Sequence, residues 1–360
     1  MKDSKKSSSV CRYSPRQGLR LTMLFLLCAA AGFVADSLQA PLAWMIGPMC
    51  AATAISLSGY APYLHHSARG LGQLVVAAAV GLYFTPSALA QTISHLPAMV
   101  GIALLATLAG CVTAYLLIQL TAIDLATVLF SSIPGGPGEM AQLAEQKGGS
   151  AALVAIAQSL RIAMVVTIIP LSLAAMGAGT ESFGVATNLP VVGPLVLLEV
   201  LTIATLAAYL FHRCGIVSPM FMGPLAASAI LAGTGFYDFG FPRFVIYAGQ
   251  LLLGASLGLS FTREIFRRAP RFLLVSTLMT GLLMAICAAM GYVASRLTSW
   301  DLPTMILATA PGSVTEMSIT AENLGLGVAG VAAFQIVRLF IMVPLTPLLY
   351  RVASSRVMDM

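Results

Sequence analysis

The chain has 360 residues, of which 58% are hydrophobic and only 9% are charged, and its formal net charge is +6. Ordinary soluble proteins carry about 25% charged residues, so a soluble fold is excluded, and the continuous apolar runs exclude a β-barrel, whose strands alternate. The runs approach or exceed the roughly 20 residues that a helix needs to cross a bilayer. We therefore predict an all-α polytopic membrane protein.

The apolar segments divide into two similar sets. The first half has segments near 20–38, 41–59, 68–85, 97–120 and 150–173, with a broken pair at 123–133 and 137–147. The second half has segments near 189–210, 217–235, 242–262, 270–297 and 327–350, with a broken pair at 302–310 and 313–323. We predict five transmembrane helices and one broken element in each half.

These segments define the predicted domain organisation. It comprises a cytoplasmic basic arm at 1–19, a membrane repeat at 20–173, a connecting loop at 174–188, a second membrane repeat at 189–350 and a cytoplasmic tail at 351–360. The first apolar run is longer than the 7–15-residue core of a signal peptide, and no clear cleavage site follows it. We therefore interpret it as a retained helix.

The two halves repeat their polar and helix-breaking residues at a shift of 177 positions. The pairs are Asp124 with Asp301, Pro134 with Pro311, Gly135 with Gly312, Glu139 with Glu316, Glu145 with Glu322, Gln158 with Gln335 and Arg161 with Arg338. Such residues are costly in lipid. A duplication that retains them indicates the functional part of the molecule.

The broken elements decide the topology. Each limb holds about a dozen residues, or roughly 18 Å of helix, which is half of a membrane. If the element enters and leaves on one side, the halves are inverted; if it crosses, they are parallel. Only the inverted arrangement places the basic cluster Arg263, Arg267, Arg268 and Arg271 on the cytoplasmic side. We predict inverted repeats with re-entrant hairpins, ten full crossings and both termini in the cytoplasm, in a bacterial-type inner membrane.

The Pro-Gly sequences between the limbs are candidate binding sites. The residues concerned are Pro134, Gly135, Gly136 and Gly138 in the first half, and Pro311, Gly312 and Ser313 in the second. A break in mid-membrane exposes the carbonyls of one half-helix, which attract cations, and the amides of the next, which attract anions. The alternative is an ordinary turn at the cytoplasmic surface.

The carboxylates that follow these breaks have two interpretations. Glu139 and Glu316 lie in a first helical turn, where a carboxylate favours the helix dipole, and Ser313 with Glu316 matches a capping box. Alternatively, a carboxyl group shielded from water can load and release a proton near neutral pH. Glu145 and Glu322 lie about 9 Å further along the helix, where we expect a solvated charge. Asp124 and Asp301, which open the broken elements, are predicted helix N-caps.

Two arginines lie near the middle of apolar helices. Arg161 and Arg338 each have a glutamine three residues earlier on the same helix face, Gln158 and Gln335. A guanidinium at that depth needs a partner. One hypothesis is an ion pair with Glu139 or Glu316. The other is direct binding of an anionic substrate, because the planar fork suits a carboxylate.

A Gly-Pro pair repeats in the second helix of each half, as Gly47-Pro48 and Gly223-Pro224. Proline removes a helix hydrogen bond and clashes with the preceding turn, so we predict a helix break at both places. Paired breaks point to the central site of a transporter, whereas a simple kink is the alternative.

The repeated motif resembles that of a known family. Pro-Gly-x-x-x-Glu-Met followed by Gln-x-x-Arg, from Pro134 to Arg161 and from Pro311 to Arg338, is similar to the integral-membrane AbrB family, and the resemblance covers about residues 20–350. This is not the small soluble DNA-binding AbrB fold. Members carry the labels regulator of aidB expression or ammonia monooxygenase. At fold level the family also resembles the cation-proton antiporter and anion transporter superfamily, in which inverted repeats and broken helices build the ion site.

The resemblance implies a membrane transporter more readily than an enzyme. Copper oxygenases need clustered imidazoles, and the four histidines, His65, His66, His95 and His212, fall outside the repeated motifs. We therefore expect no catalytic residue, metal or cofactor, and no ammonia monooxygenase activity. The leading hypothesis is a secondary transporter of a small solute or ion, with H⁺ and Na⁺ among the candidates. The alternative is a membrane protein that regulates gene expression indirectly. The expected partner is the lipid bilayer, not nucleic acid. The sequence leaves open whether the protein forms a homodimer.

Overall fold

The computed structural model describes residues 15–60, 62–65, 67–121, 123–177, 193–216, 218–234, 239–298 and 300–358. Within these residues the chain forms sixteen α-helices. Residues 1–14 of the predicted basic arm and residues 178–188 of the predicted connecting loop lie outside the described residues.

The helices fall into two series of eight. The first series is α1 Pro15–Ser37, α2 Ala43–Ser58, α3 Ser67–Gly81, α4 Pro86–Ser94, α5 Leu96–Leu120, α6 Leu125–Ser132, α7 Pro137–Gln146 and α8 Ala151–Ala175. The second series is α9 Pro194–Arg213, α10 Pro219–Gly233, α11 Arg243–Gly258, α12 Arg263–Arg268, α13 Pro270–Leu297, α14 Leu302–Thr309, α15 Val314–Asn323 and α16 Val328–Met358. Each helix of the first series has its counterpart in the second.

The molecule is an all-helical polytopic membrane protein. In the described ranges, α1, α5, α8, α9, α13 and α16 are long and apolar enough to cross a membrane, and α3 with α4, bent by 93°, would count as a seventh span. Helix α16 continues to Met358, so residues 351–358 of the predicted tail belong to the last helix.

Four of the predicted full crossings are shorter than expected. Helices α2, α3, α10 and α11 have only 15 or 16 residues, or about 24 Å of helix. One reason is that α2 and α10 begin late, after Leu42 and Ser218 in the left-handed conformation. The other is that α3 ends at Gly81, where the chain turns towards α4.

The Gly-Pro pairs do not break their helices. Helices α2 and α10 continue through Pro48 and Pro224, so the predicted breaks are wrong. Their glycines serve close packing instead: a Cβ on Gly47 would lie 2.5 Å from the carbonyl oxygen of Ala31, and one on Gly223 would lie 2.6 Å from the backbone of Ala207. Each pair therefore allows the second helix of its half to pack directly on the backbone of the first.

The helices form two bundles. Helices α1, α2 and α3 pack with α9, α10 and α11, and we call this group the panel bundle. Helices α5 to α8 pack with α13 to α16, and we call this group the broken-helix bundle. The bundles meet where α3 contacts α15 and α16. The largest apolar cluster includes Val80 of α3, Val165 of α8 and Met317 of α15, so it extends across this junction.

The two halves pack on each other reciprocally. Helix α2 packs on α11 as α10 packs on α3, and α1 packs on α2 as α9 packs on α10. Helices α3 and α11, which are counterparts, cross where a Cβ on Gly72 would lie 2.8 Å from the carbonyl oxygen of Gly249. Those two glycines are themselves 177 positions apart. The repeat in the sequence is therefore also a repeat of helices and of contacts.

Candidate functional site

Each broken element begins with an aspartate that caps its first half-helix. Asp124 Oδ1 accepts a hydrogen bond from the Thr127 amide at 2.7 Å, and Asp301 Oδ2 accepts one from the Thr304 amide at 3.0 Å. A side-chain oxygen that satisfies an unpaired amide of the first turn is an N-cap. The predicted role of both aspartates is confirmed.

The chain leaves helical geometry between the half-helices, at residues 133–136 and 310–313, which we call the first tip and the second tip. Their limits agree with the predicted breaks to within one or two residues. In the first tip, a Cβ on Gly136 would lie 2.8 Å from Oε2 of Glu139. A glycine at this position leaves space for the Glu139 side chain to fold back over the tip.

Two buried glutamines satisfy carbonyls that the prolines leave without a donor. Because proline has no N–H, the carbonyls four residues earlier, those of Phe130 and Leu307, lack an intrahelical partner. Gln158 Nε2 donates to the Phe130 oxygen at 2.6 Å, and Gln335 Nε2 donates to the Leu307 oxygen at 2.9 Å. Each amide also donates to the tip carbonyl of its own half, at 3.0 Å in the first and 3.1 Å in the second.

The two buried arginines bind the same backbone. Arg161 donates through Nη1 to the Ile133 oxygen at 3.4 Å and through Nη2 to the Gly135 oxygen at 3.3 Å, and it also contacts Oε1 of Gln158. Arg338 donates to the oxygens of Ala310 and Gly312, each at 2.5 Å. A cation at the carbonyl end of a half-helix also complements its dipole.

The ion pairs predicted for these arginines are therefore absent. In the part of the chain that the structure describes, neither guanidinium pairs with Glu139 or Glu316. Both guanidiniums are directed to tip carbonyls instead, because the end of a half-helix in the interior leaves several carbonyls without donors.

The repeated glutamates face the panel bundle. Glu316, which is 1% exposed, lies in the first turn of α15, and its Oε1 is 3.8 Å from Nη2 of Arg69 on α3. Glu139, in the first turn of α7, interacts with Ser218 at the start of α10 and lies in the field of Arg69. One arginine of the panel bundle therefore acts on the duplicated carboxylates of both broken elements.

The second tip also lies close to α8, the helix that follows the first broken element. Arg161 and Arg338 interact electrostatically, and both act on the buried Cys287 of α13. A Cβ on Gly312 of the second tip would lie 3.0 Å from Val165 of α8, the helix that carries Arg161. The structure therefore brings the four duplicated charged residues of the tips into one region.

Several buried polar atoms of this region have no hydrogen-bond partner among the described residues. They are Ser131 Oγ, Glu139 Oε2, Arg161 Nε, Ser313 Oγ, Glu316 Oε2, Ser318 Oγ and Gln335 Oε1. Ser313 makes no side-chain cap bond, so the predicted capping box is not formed. Buried polar groups are normally paired. Unpaired groups concentrated around the two tips indicate a place where a ligand or water would be bound.

A protein-family model matches most of the chain. The family model described as "Transition state regulatory protein AbrB" matches residues 44–354. The chain belongs to the AbrB family. A relative from Escherichia coli strain K12 named "Putative regulator AbrB" is 28% identical over 331 residues, which cover 91% of this chain and 94% of the relative. A Bacillus subtilis strain 168 protein named "Uncharacterized protein YhjN" is 24% identical over 348 residues, with 90% and 91% covered.

This AbrB family chain also has a cavity beside the far end of α15. Its volume is about 460 Å³, and its lining includes Trp44, Tyr83, Gln250 and Glu322. Glu322 Oε1 accepts a hydrogen bond from Tyr83 Oη at 3.4 Å. The prediction of a simple solvated charge holds for the exposed Glu145, but Glu322 is part of a cavity wall.

Sequence reasoning missed Arg69. It lies at the start of α3 and resembles an ordinary positive residue at a membrane surface. The repeat cannot reveal it, because the position 177 residues later is Ile246. Its position among the few charged residues in or beside apolar runs is the only signal in the sequence.

Proposed function

We propose that this AbrB family protein is a secondary transporter of a small solute or ion, with a substrate site between the two tips and the panel bundle. The observation that carries the proposal is the set of buried, unpartnered polar atoms on two broken elements of a polytopic membrane protein. Non-helical backbone at membrane depth is tolerated where it is enclosed by protein or lines a cavity. In transporters, pairs of broken helices of this kind form the substrate site.

The local charges support this assignment. At each tip the arginine and the glutamine occupy the carbonyl end, so those carbonyls are not free to bind a cation. The amide end carries a glutamate in its first turn. What is left to bind a substrate is the interface between the glutamates and the panel bundle, where Arg69 is the charged residue that faces them.

Alternating access requires this junction to change. The proposal takes the halves as inverted, with the basic cluster at 263–271 and both termini in the cytoplasm of a bacterial-type inner membrane, because that arrangement satisfies the positive-inside rule. Relative movement of the panel and broken-helix bundles would then expose the glutamates to one side or the other. The ion pair between Arg69 and Glu316 spans the two bundles and would have to rearrange in each cycle.

Uptake into sealed proteoliposomes tests the proposal. The purified chain is reconstituted and screened against a broad panel of radiolabelled organic anions, amines, amino acids and monovalent cations, with and without a pH gradient. We expect flux of at least one class, lost in Glu139→Gln and Glu316→Gln but kept in Glu145→Gln, whose side chain is exposed outside the tips. A wild-type protein with no flux and no ligand binding across the panel would refute a transport role.

A second candidate function is indirect regulation of gene expression. It is favoured by the regulatory wording of the family description and by the name of the Escherichia coli relative. The two functions are separable. If Glu139→Gln and Arg161→Ala abolish transport but restore wild-type transcript levels in a deletion strain, regulation does not follow from transport.

A further inference from the structure

The charges around the tips do not balance. One arginine and one glutamate lie beside each tip, Arg161 with Glu139 and Arg338 with Glu316, and these pairs are repeated. Arg69 is added by the panel bundle and has no counterpart, because Ile246 occupies the equivalent position of α11. With all five groups ionised, three guanidiniums face two carboxylates, so the region carries one excess positive charge.

The excess charge belongs to Arg69 in particular. Arg161 and Arg338 are committed to tip carbonyls. The Arg69 guanidinium makes no hydrogen bond to another residue in the described ranges, and its one ion pair is a single contact of 3.8 Å. That distance is long for a charge-assisted hydrogen bond, which is about 2.7–2.9 Å. Among the described residues, the fork of donors on Arg69 therefore has no hydrogen-bond partner.

Arg69 is also reachable. Its side chain is 22% exposed, whereas that of its partner Glu316 is 2% exposed. Arg69 is therefore the more accessible member of this ion pair.

We infer that Arg69 binds the carboxylate of a small monoanionic substrate, in competition with Glu316. The inference rests on the proposed function and names its substrate class. A planar guanidinium matches a carboxylate through two parallel hydrogen bonds, which the present single contact does not provide. A monoanion neutralises the excess charge, whereas a cation would add to it.

Competition with Glu316 gives the substrate a route for release. The substrate carboxylate takes the guanidinium from Glu316 when it binds, and Glu316 takes it back when the substrate leaves. Because Arg69 is on the panel bundle and Glu316 is on the broken-helix bundle, the exchange changes the contact between the bundles. Substrate binding is therefore linked to the movement that transport requires.

Binding to the purified full-length protein tests the inference. Sodium acetate, sodium lactate and sodium benzoate are titrated by isothermal calorimetry, with sodium chloride, sodium phosphate and ammonium chloride as the comparison salts. We expect at least one monocarboxylate to bind the wild type, and Arg69→Gln to weaken that binding by about tenfold or more. Glu316→Gln should bind the same carboxylate about threefold to tenfold more tightly, because the competitor is gone. Arg296→Gln, at an exposed arginine on α13, should bind like the wild type.

The increase in Glu316→Gln separates this inference from a merely structural role for the ion pair, which would lower binding in both variants. If Arg69→Gln does not fold, the double variant Arg69→Gln/Glu316→Gln removes both partners and should fold without binding carboxylate. Unchanged binding in Arg69→Gln or in the double variant, lost binding in Glu316→Gln, or binding of ammonium alone would overturn it. Carboxylate binding without flux would refute transport only; cation flux without carboxylate binding would refute this inference only.

Discussion

A substitution of Gln158 tests how buried hydrogen bonds stabilise the first tip. Replacement by leucine keeps the approximate size of the side chain but removes the amide. The Phe130 carbonyl then loses its donor, because Pro134 has no N–H to replace it. The Ile133 carbonyl loses one of two donors and keeps Arg161.

Leucine also removes the contact of Arg161 with Oε1 of Gln158, but Arg161 keeps its two carbonyl acceptors. The magnitude therefore follows chiefly from the two carbonyls that lose the Gln158 donor. An unsatisfied buried acceptor costs about 1–3 kcal/mol, and the loss of an ordinary hydrogen bond costs about 0.5–1.5 kcal/mol. Because Gln158 is completely buried, no water replaces the amide without rearrangement. We expect Gln158→Leu to lower the free energy of unfolding by about 2–4 kcal/mol, and Gln335→Leu to behave similarly.

Gln250 is the matched control. It is 1% exposed, and its Nε2 has no partner among the described residues. Gln250→Leu should therefore change the free energy of unfolding by less than about 1 kcal/mol or increase it. The measurement is reversible SDS unfolding in mixed micelles, followed by the fluorescence of Trp44 and Trp300. Equal destabilisation by Gln158→Leu and Gln250→Leu, or a wild-type value for Gln158→Leu, would show that the carbonyl contacts do not support the tip.

Further expected outcomes concern the caps, the close-packed glycines and the topology. Asp124→Ala should cost about 1–2 kcal/mol in the same assay and Asp301→Ala less, because Asp124 also accepts from Thr127 Oγ1 at 2.8 Å; the reverse order would contradict the cap assignment. Gly223→Ala should cost about 1–3 kcal/mol, since its Cβ would lie 2.6 Å from the α9 backbone, whereas Gly281→Ala, with open space around it, should be neutral or stabilising. In a background without native cysteines, a membrane-impermeant maleimide should label Glu145→Cys only in inside-out vesicles and Asn323→Cys only in right-side-out vesicles. Labelling of both from one side would exclude inverted halves.

The sequence predicted the broken elements well because local chemistry determines them. Asp124 and Asp301 mark the starts, and Pro134 and Pro311 end the first half-helices wherever they are placed. The sequence predicted helix continuity less well where tertiary contacts decide whether a proline interrupts a helix. Pro48 and Pro224 would disrupt an isolated helix, but each lies in a helix that packs closely on a neighbour and continues through the proline.

The partners of the buried charges could not be deduced from the repeat. Arg161 and Glu139 have opposite charges and both follow the first tip in the sequence, so an ion pair was a reasonable expectation. The structure instead directs the arginine to the tip carbonyls. The sequence predicts that these carbonyls attract a cation, but it does not show that Arg161 is that cation. Arg69 escaped prediction for a related reason: its role depends on packing between bundles, and a search for duplicated residues excludes a residue that occurs once.

The crossing of Gly72 with Gly249 has a consequence for the origin of the chain. A residue that touches its own repeat counterpart lies close to a pseudo-two-fold axis, which corresponds to the two-fold axis of a symmetric dimer. A gene encoding one half would therefore already have carried both sides of this contact, and two copies of its product could assemble through it. Under the inverted arrangement, those copies would have had to enter the membrane in opposite directions. Fusion of the two genes would have removed that requirement, leaving Arg69 free to arise on one half alone.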